Sequence, residues 1–126
     1  MDELIARVSA AIGVEADVAR TAVGHVLSFL RKELPDGPVA EFLDQVAGSR
    51  EAADAVEGGE SSGGSLLGGL LGGGLMGLAT KLNGLGLDMG QIQKLGHEVF
   101  GYAETVLGKE KVQQIANSVP GLSQFL

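Results

Sequence analysis

Few side chains in this sequence are placed to do chemistry. Cysteine is absent, which removes disulfides, thiol nucleophiles and zinc–thiolate sites. The two histidines, His25 and His97, each follow a glycine, in Gly24-His25 and Gly96-His97. A histidine paired with a carboxylate such as Glu98 would be a start on a metal site. However, His-x-x-x-His and Glu-x-x-His spacings are missing, and two ordinary surface or boundary histidines are expected. Gly72-Gly73-Gly74-Leu75-Met76-Gly77 spells G-x-G-x-x-G. That pattern binds a dinucleotide only when it follows a strand and opens a helix in a βαβ unit. No strand precedes it here, and a chance match is expected in so glycine-rich a run. There is no Walker A lysine motif and no Ser/His/Asp arrangement. The acids Asp36, Glu41, Asp44, Glu51, Asp54, Glu57 and Glu60 are irregularly spaced, lack the EF-hand pattern, and predict a solvated acidic face. The expectation is a non-enzymatic protein with no catalytic, cofactor or metal site.

The feature with most to say about function is apolar. Ser61 to Thr80 is twenty residues without a charge, a length that just spans a bilayer as a helix. Gly64, Gly68 and Gly72 recur every fourth residue, as do Gly69, Gly73 and Gly77. On a helix these form ridges that let another backbone approach closely. Leu67, Leu70, Leu71, Leu75 and Leu78 project from the other faces. Each helical glycine costs about 1 kcal/mol relative to alanine, so the run forms a helix in water only where tight contact offsets that cost. Three arrangements stay open: a buried helix or helix-loop within the fold, a mobile tether, or a contact with lipid or a partner helix. Under the last, the contact residues are Leu67, Gly68, Leu70, Leu71, Gly72, Gly73, Leu75, Gly77 and Leu78.

The 126 residues make one domain, with 21 glycines, one tyrosine and no tryptophan. The core must therefore be aliphatic and finely packed. The formal net charge is −7. Nucleic-acid binding calls for a basic stripe, usually with stacking aromatics, so no nucleic-acid partner is expected. Met1-Asp2-Glu3-Leu4 has acids where a secretory signal carries basic residues, which points to a cytoplasmic protein.

These side chains must be positioned by helices. Leu4, Ile5, Val8, Ala11 and Ile12 recur at helical spacing after Asp2, and Gly13 stops that run. A long helix over about Ala16 to Leu34 carries Val18, Ala22, Val23, Val26, Leu27, Phe29 and Leu30, and Pro35 ends it. Pro38 opens a third helix bearing Val39, Phe42, Leu43 and Val46, closed by Gly48. Ser49 is placed to cap a weaker helix through Val56, and Glu57 to Gly64 has the composition of a flexible linker. After the Gly/Leu run, a helix over about Asp88 to Leu107 carries Ile92, Leu95, Val99, Phe100, Ala103 and Val106. Gly108 interrupts it, and a last helix over about Lys109 to Val119 presents Val112, Ile115, Ala116 and Val119. No stretch alternates with period two.

An offset of 73 residues superposes the two halves without a gap. Ile12-Gly13-Val14-Glu15 falls on Leu85-Gly86-Leu87-Asp88, Ile5 on Leu78, Val26-Leu27 on Val99-Phe100, Phe29 on Tyr102, and Val39 and Phe42 on Val112 and Ile115. Helical periodicity alone does not align the stops Gly13 with Gly86 and Gly48 with Gly121. Duplication is the expectation: one unit over about 2–48, a Gly-rich insert over about 49–74 and a second unit over about 75–121. The fold class predicted is an all-α bundle of six to seven helices from two related three-helix units joined by a Gly-rich linker, a pair that a pseudo-two-fold axis could relate.

The Ile-Gly-Val and Leu-Gly-Leu openings, the Leu34-Pro35 break, the Val119-Pro120-Gly121 ending and the central Gly/Leu insert together carry a resemblance. Over nearly its whole length the chain resembles small bacterial helical proteins of unknown function, the Vcg-type domains. Gly101–Leu126 also resembles the end of YidB-like proteins. The resemblance implies an all-helical fold and a bacterial source, and it implies no activity and no functional residue. Such families often bear an export signal, from which this N-terminus departs. The function expected is a helical interaction or scaffold protein that self-associates or binds a protein partner. The alternative is membrane or lipid association through residues 65–82.

Overall fold

A computed structural model of the chain describes residues 2–34, 37–60 and 75–118, with side chains at all of these except 57–60 and 75–76. These residues form seven helices and no strand: α1 (Asp2–Ile12), α2 (Ala16–Glu33), α3 (Pro38–Gln45), α4 (Ser49–Glu60), α5 (Leu75–Gly84), α6 (Met89–Leu107) and α7 (Lys109–Ser118). The predicted all-α bundle is what forms. The aliphatic stripes build one continuous core, running from Leu4 and Val8 of α1 through Val23, Leu27 and Leu30 of α2 to Leu95, Val99 and Phe100 of α6 and Val112 and Ile115 of α7. Every buried side-chain nitrogen or oxygen among the described residues has a hydrogen-bond partner.

Two helix ends depart from the sequence expectation. Helix α4 continues through Gly58 and Gly59 to Glu60, across residues whose composition suggested a linker. Two glycines at about 1 kcal/mol each do not outweigh its packing on α2. Ser49 does not serve α4 as expected. Its side chain is fully buried and its hydroxyl faces the carbonyls of Val46 at 2.7 Å and Leu43 at 3.1 Å. These belong to the C-terminal end of α3, where carbonyls lack helical partners, so Ser49 closes the helix before it.

The turns after α1 and α5 are alike. Gly13 and Gly86 have φ of +69° and +92°, a region in which a Cβ is strained. One residue further on, the Val14 N–H donates to the Ser9 carbonyl and the Leu87 N–H donates to the Leu82 carbonyl. These are equivalent bonds at the 73-residue offset, in the six-to-one pattern of a glycine-closed helix end.

The same offset carries α1 onto α5, α2 onto α6 and α3 onto α7, with ends differing by two residues at most. Burial agrees along the long helices: Ala19 with Ile92, Ala22 with Leu95, Val26 with Val99, Leu27 with Phe100 and Leu30 with Ala103 are buried in both members. The first helices break the rule. Leu4 and Val8 are buried where Gly77 and Lys81 are half-buried, while Leu78 and Leu82 are buried where Ile5 and Ser9 are half-buried. Ile5 and Leu78 therefore align in sequence without sharing a role. Helix α5 turns its next residue inward, a roll of about 100° for one residue of helix.

Candidate functional site

Of the nine residues expected to make contacts, Leu67, Gly68, Leu70, Leu71, Gly72 and Gly73 lie outside the described residues. Leu75 opens α5, Gly77 is half-buried, and Leu78 lies in the core at 8% exposure. The glycine-rich pattern at 72–77 likewise falls mostly outside them. The two histidines occupy different settings: His25 is half-buried on α2 and His97 is exposed on α6. Glu98, the acid considered as their companion, is engaged by Arg7 at 3.4 Å. No group of three His, Asp or Glu side chains among the described residues converges as metal ligands do. The acids expected to form a solvated face are partly engaged as well. Glu41 pairs with Lys111, Asp44 with Arg50, and Asp54 with Arg31 at 2.9 Å.

The most developed polar geometry lies along the seam between the two units. Helix α1 packs more extensively on α6, in the other unit, than on α2 beside it. Helix α5 likewise packs more on α2 than on α6. Each unit thus lends its first helix to the other's long helix, the reciprocal arrangement that a two-fold relation produces. At the rim, the Arg7 guanidinium stands 5.9 Å from the centre of the Tyr102 ring while also reaching Glu98. The Phe42 ring packs edge-to-face with the Tyr102 ring, centroids 6.3 Å apart and planes at 85°, a favoured aromatic geometry. Lys111 of α7 reaches Glu41 of α3. At the far end, the Gln91 amide nitrogen donates to the Ile12 carbonyl at 2.9 Å. Gln91 also completes a capping box with Asp88: the Gln91 N–H donates to Asp88 Oδ1 at 2.7 Å, and the Asp88 N–H donates to Gln91 Oε1 at 3.0 Å. One side chain therefore starts α6 and ties it to the end of α1.

A second close contact lies on the other side of α2, where α4 makes the most extensive helix pair of the fold. Gly24 faces the backbone of Ala52, with Ala52 and Ala53 buried against α2. Its counterpart on α6 is His97, exposed, on a face that also carries Lys94 and Glu104. The two long helices thus differ in surroundings, one sheathed on both sides and one open to solvent. Sequence reasoning missed both the seam and this contact. The signals were present in Gln91, three residues after a capping acid, and in Gly24, a glycine without a break in the helical pattern.

No protein-family model matches the chain, and neither the curated proteins nor the solved structures give a match. No helix among the described residues is long and apolar enough to cross a membrane.

Proposed function

We propose that this chain is a non-enzymatic helical interaction protein that self-associates, with the Gly/Leu run as its contact element. The observation that carries the reading is where apolar surface is found. Among the described residues, Met89, at 59%, is the exposed large hydrophobic side chain. A stable protein contact draws on a contiguous apolar patch, and no other large apolar side chain among the described residues is exposed to that degree. The sequence holds a further apolar stretch in the uncharged run from Ser61, with Leu67, Leu70 and Leu71 among glycines at four-residue spacing, and the reading assigns the contact to it.

Light scattering coupled to size-exclusion chromatography of the full chain tests this. A mass that rises with concentration is expected, and it returns to the monomer when Leu67, Leu70 and Leu71 are all replaced by serine. A monomer at every concentration overturns the reading. The alternative, lipid contact through residues 65–82, is favoured by the length of the uncharged run and is read by flotation with neutral phosphatidylcholine vesicles. Protein that floats, and sinks again in the triple serine variant, would favour it over self-association.

A further inference from the structure

We propose that the open face of α6 is a contact for a second copy of this chain, whose own α6 lies across it antiparallel. This contact is separate from the Gly/Leu run. At about 100° per residue, Gly90, Lys94, His97, Gly101 and Glu104 fall within about 80° of one another around the helix. Lys94, His97 and Glu104 are exposed and Gly101 is half-buried. The corresponding side of α2 is the one that α4 covers. At the 73-residue offset His97 and Gly101 fall on Gly24 and Ser28, which are buried, and Glu104 falls on Arg31, which pairs with Asp54 of α4 at 2.9 Å. The fold thus already receives a helix on this side of one long helix and leaves the same side of the other uncovered.

Charge complementarity names the occupant. The stripe is arranged evenly about position 99, with Lys94 and Glu104 at equal distances to either side, and His97 and Gly101 likewise. A two-fold axis crossing the helix there sets Lys94 of each copy against Glu104 of the other, and each His97 ring over the other copy's Gly101. Within one chain Lys94 and Glu104 are about 15 Å apart along the helix, too far to pair. Among the described residues neither enters an ion pair, and Glu98, one turn from Lys94, is engaged by Arg7. The nearest atom to a Cβ at Gly101 is the Arg7 guanidinium nitrogen at 3.8 Å, so a ring can settle there beside a cationic donor. A contact this small and polar belongs to the weak class. It is populated in a concentrated sample and lost on dilution through a sizing column.

The experiment uses full chains that all carry serine at Leu67, Leu70 and Leu71, so that association through the Gly/Leu run does not contribute. ¹H–¹⁵N spectra are recorded over a dilution series. The amides of His97 and Gly101 are expected to shift with concentration while those of α4 stay fixed. Lys94→Glu and Glu104→Lys each make both two-fold-related pairs repulsive, and each variant alone should lose about tenfold in association. An equal mixture of the two should associate as the parent does, because one chain then carries acids at both positions and the other carries bases. Amide shifts that do not move with concentration overturn the contact. So do single reversals that associate like the parent, and a mixture that associates no better than its components. The Gly/Leu reading is tested with those leucines in place, so its failure and the failure of this contact are read separately.

Discussion

Gly24 and Ala52 meet so closely that a Cβ on Gly24 would lie 2.6 Å from the Ala52 carbonyl oxygen and 3.0 Å from a Val56 methyl. The first is a backbone atom and cannot swing aside, so α4 must shift as a whole to admit a methyl group. Gly24→Ala is expected to destabilise the protein by about 1–3 kcal/mol, the range for overpacking, although alanine is the better helix former. Urea unfolding read by far-ultraviolet circular dichroism measures this. An unchanged midpoint would show that α4 does not hold its place.

Gly101 gives the opposite expectation on the equivalent long helix. The nearest atom to a Cβ there is an Arg7 guanidinium nitrogen at 3.8 Å, an ordinary contact. Gly101→Ala should stabilise α6 by up to about 1 kcal/mol, the propensity difference between the two residues. The same denaturation series should place Gly24→Ala and Gly101→Ala on opposite sides of the parent chain.

Ser49→Ala removes the one hydroxyl proton that the Leu43 and Val46 carbonyls share in a fully buried position; the Val46 carbonyl keeps the N–H of residue 49 at 3.2 Å, so Leu43 loses its donor. A loss of about 1–3 kcal/mol follows from stranding a buried acceptor. Hydrogen exchange should locate the damage at the end of α3 and the start of α4. Uniform loss of protection across the chain would contradict the assignment.

Gln91→Glu separates the two duties of that side chain. A glutamate at this position still accepts from the Asp88 N–H, as capping boxes commonly do. It has no proton to give the Ile12 carbonyl and brings a negative charge toward it. We expect a cost of about 1–3 kcal/mol from the stranded acceptor, with faster amide exchange at the end of α1. If Gln91→Glu matches the parent while Asp88→Ala loses about 1 kcal/mol, only the cap is significant and the tie between α1 and α6 is not.

Much of the fold was legible because long helices repeat their apolar residues at a fixed spacing. The stripes of α2 and α6, and the stops at Gly13 and Gly86, could be read from residue type alone. What was not legible depended on neighbours distant in sequence. Ser49 looked like a cap for the helix it begins, but its depth in the core directs it to α3. Gly58 and Gly59 looked like linker residues, and it is the packing of α4 on α2 that carries the helix through them. The one-residue roll between α1 and α5 was hidden because Ile5 and Leu78 are both aliphatic, and only burial distinguishes their roles. Of the expected contact residues, the structure speaks most directly about Leu78, which is a core residue. The seam escaped notice because its members, Arg7, Glu98, Tyr102 and Gln91, are individually unremarkable and acquire meaning only when the two units meet.

The placement of Tyr102 has a practical side. With one tyrosine and no tryptophan in the chain, ultraviolet emission comes in effect from a single ring. That ring belongs to unit two, while the guanidinium over it and the phenyl ring set at right angles to it, from Arg7 and Phe42, belong to unit one. The protein therefore carries an intrinsic optical probe at the junction of its halves. The intensity and anisotropy of that emission report whether the halves are together without any added dye.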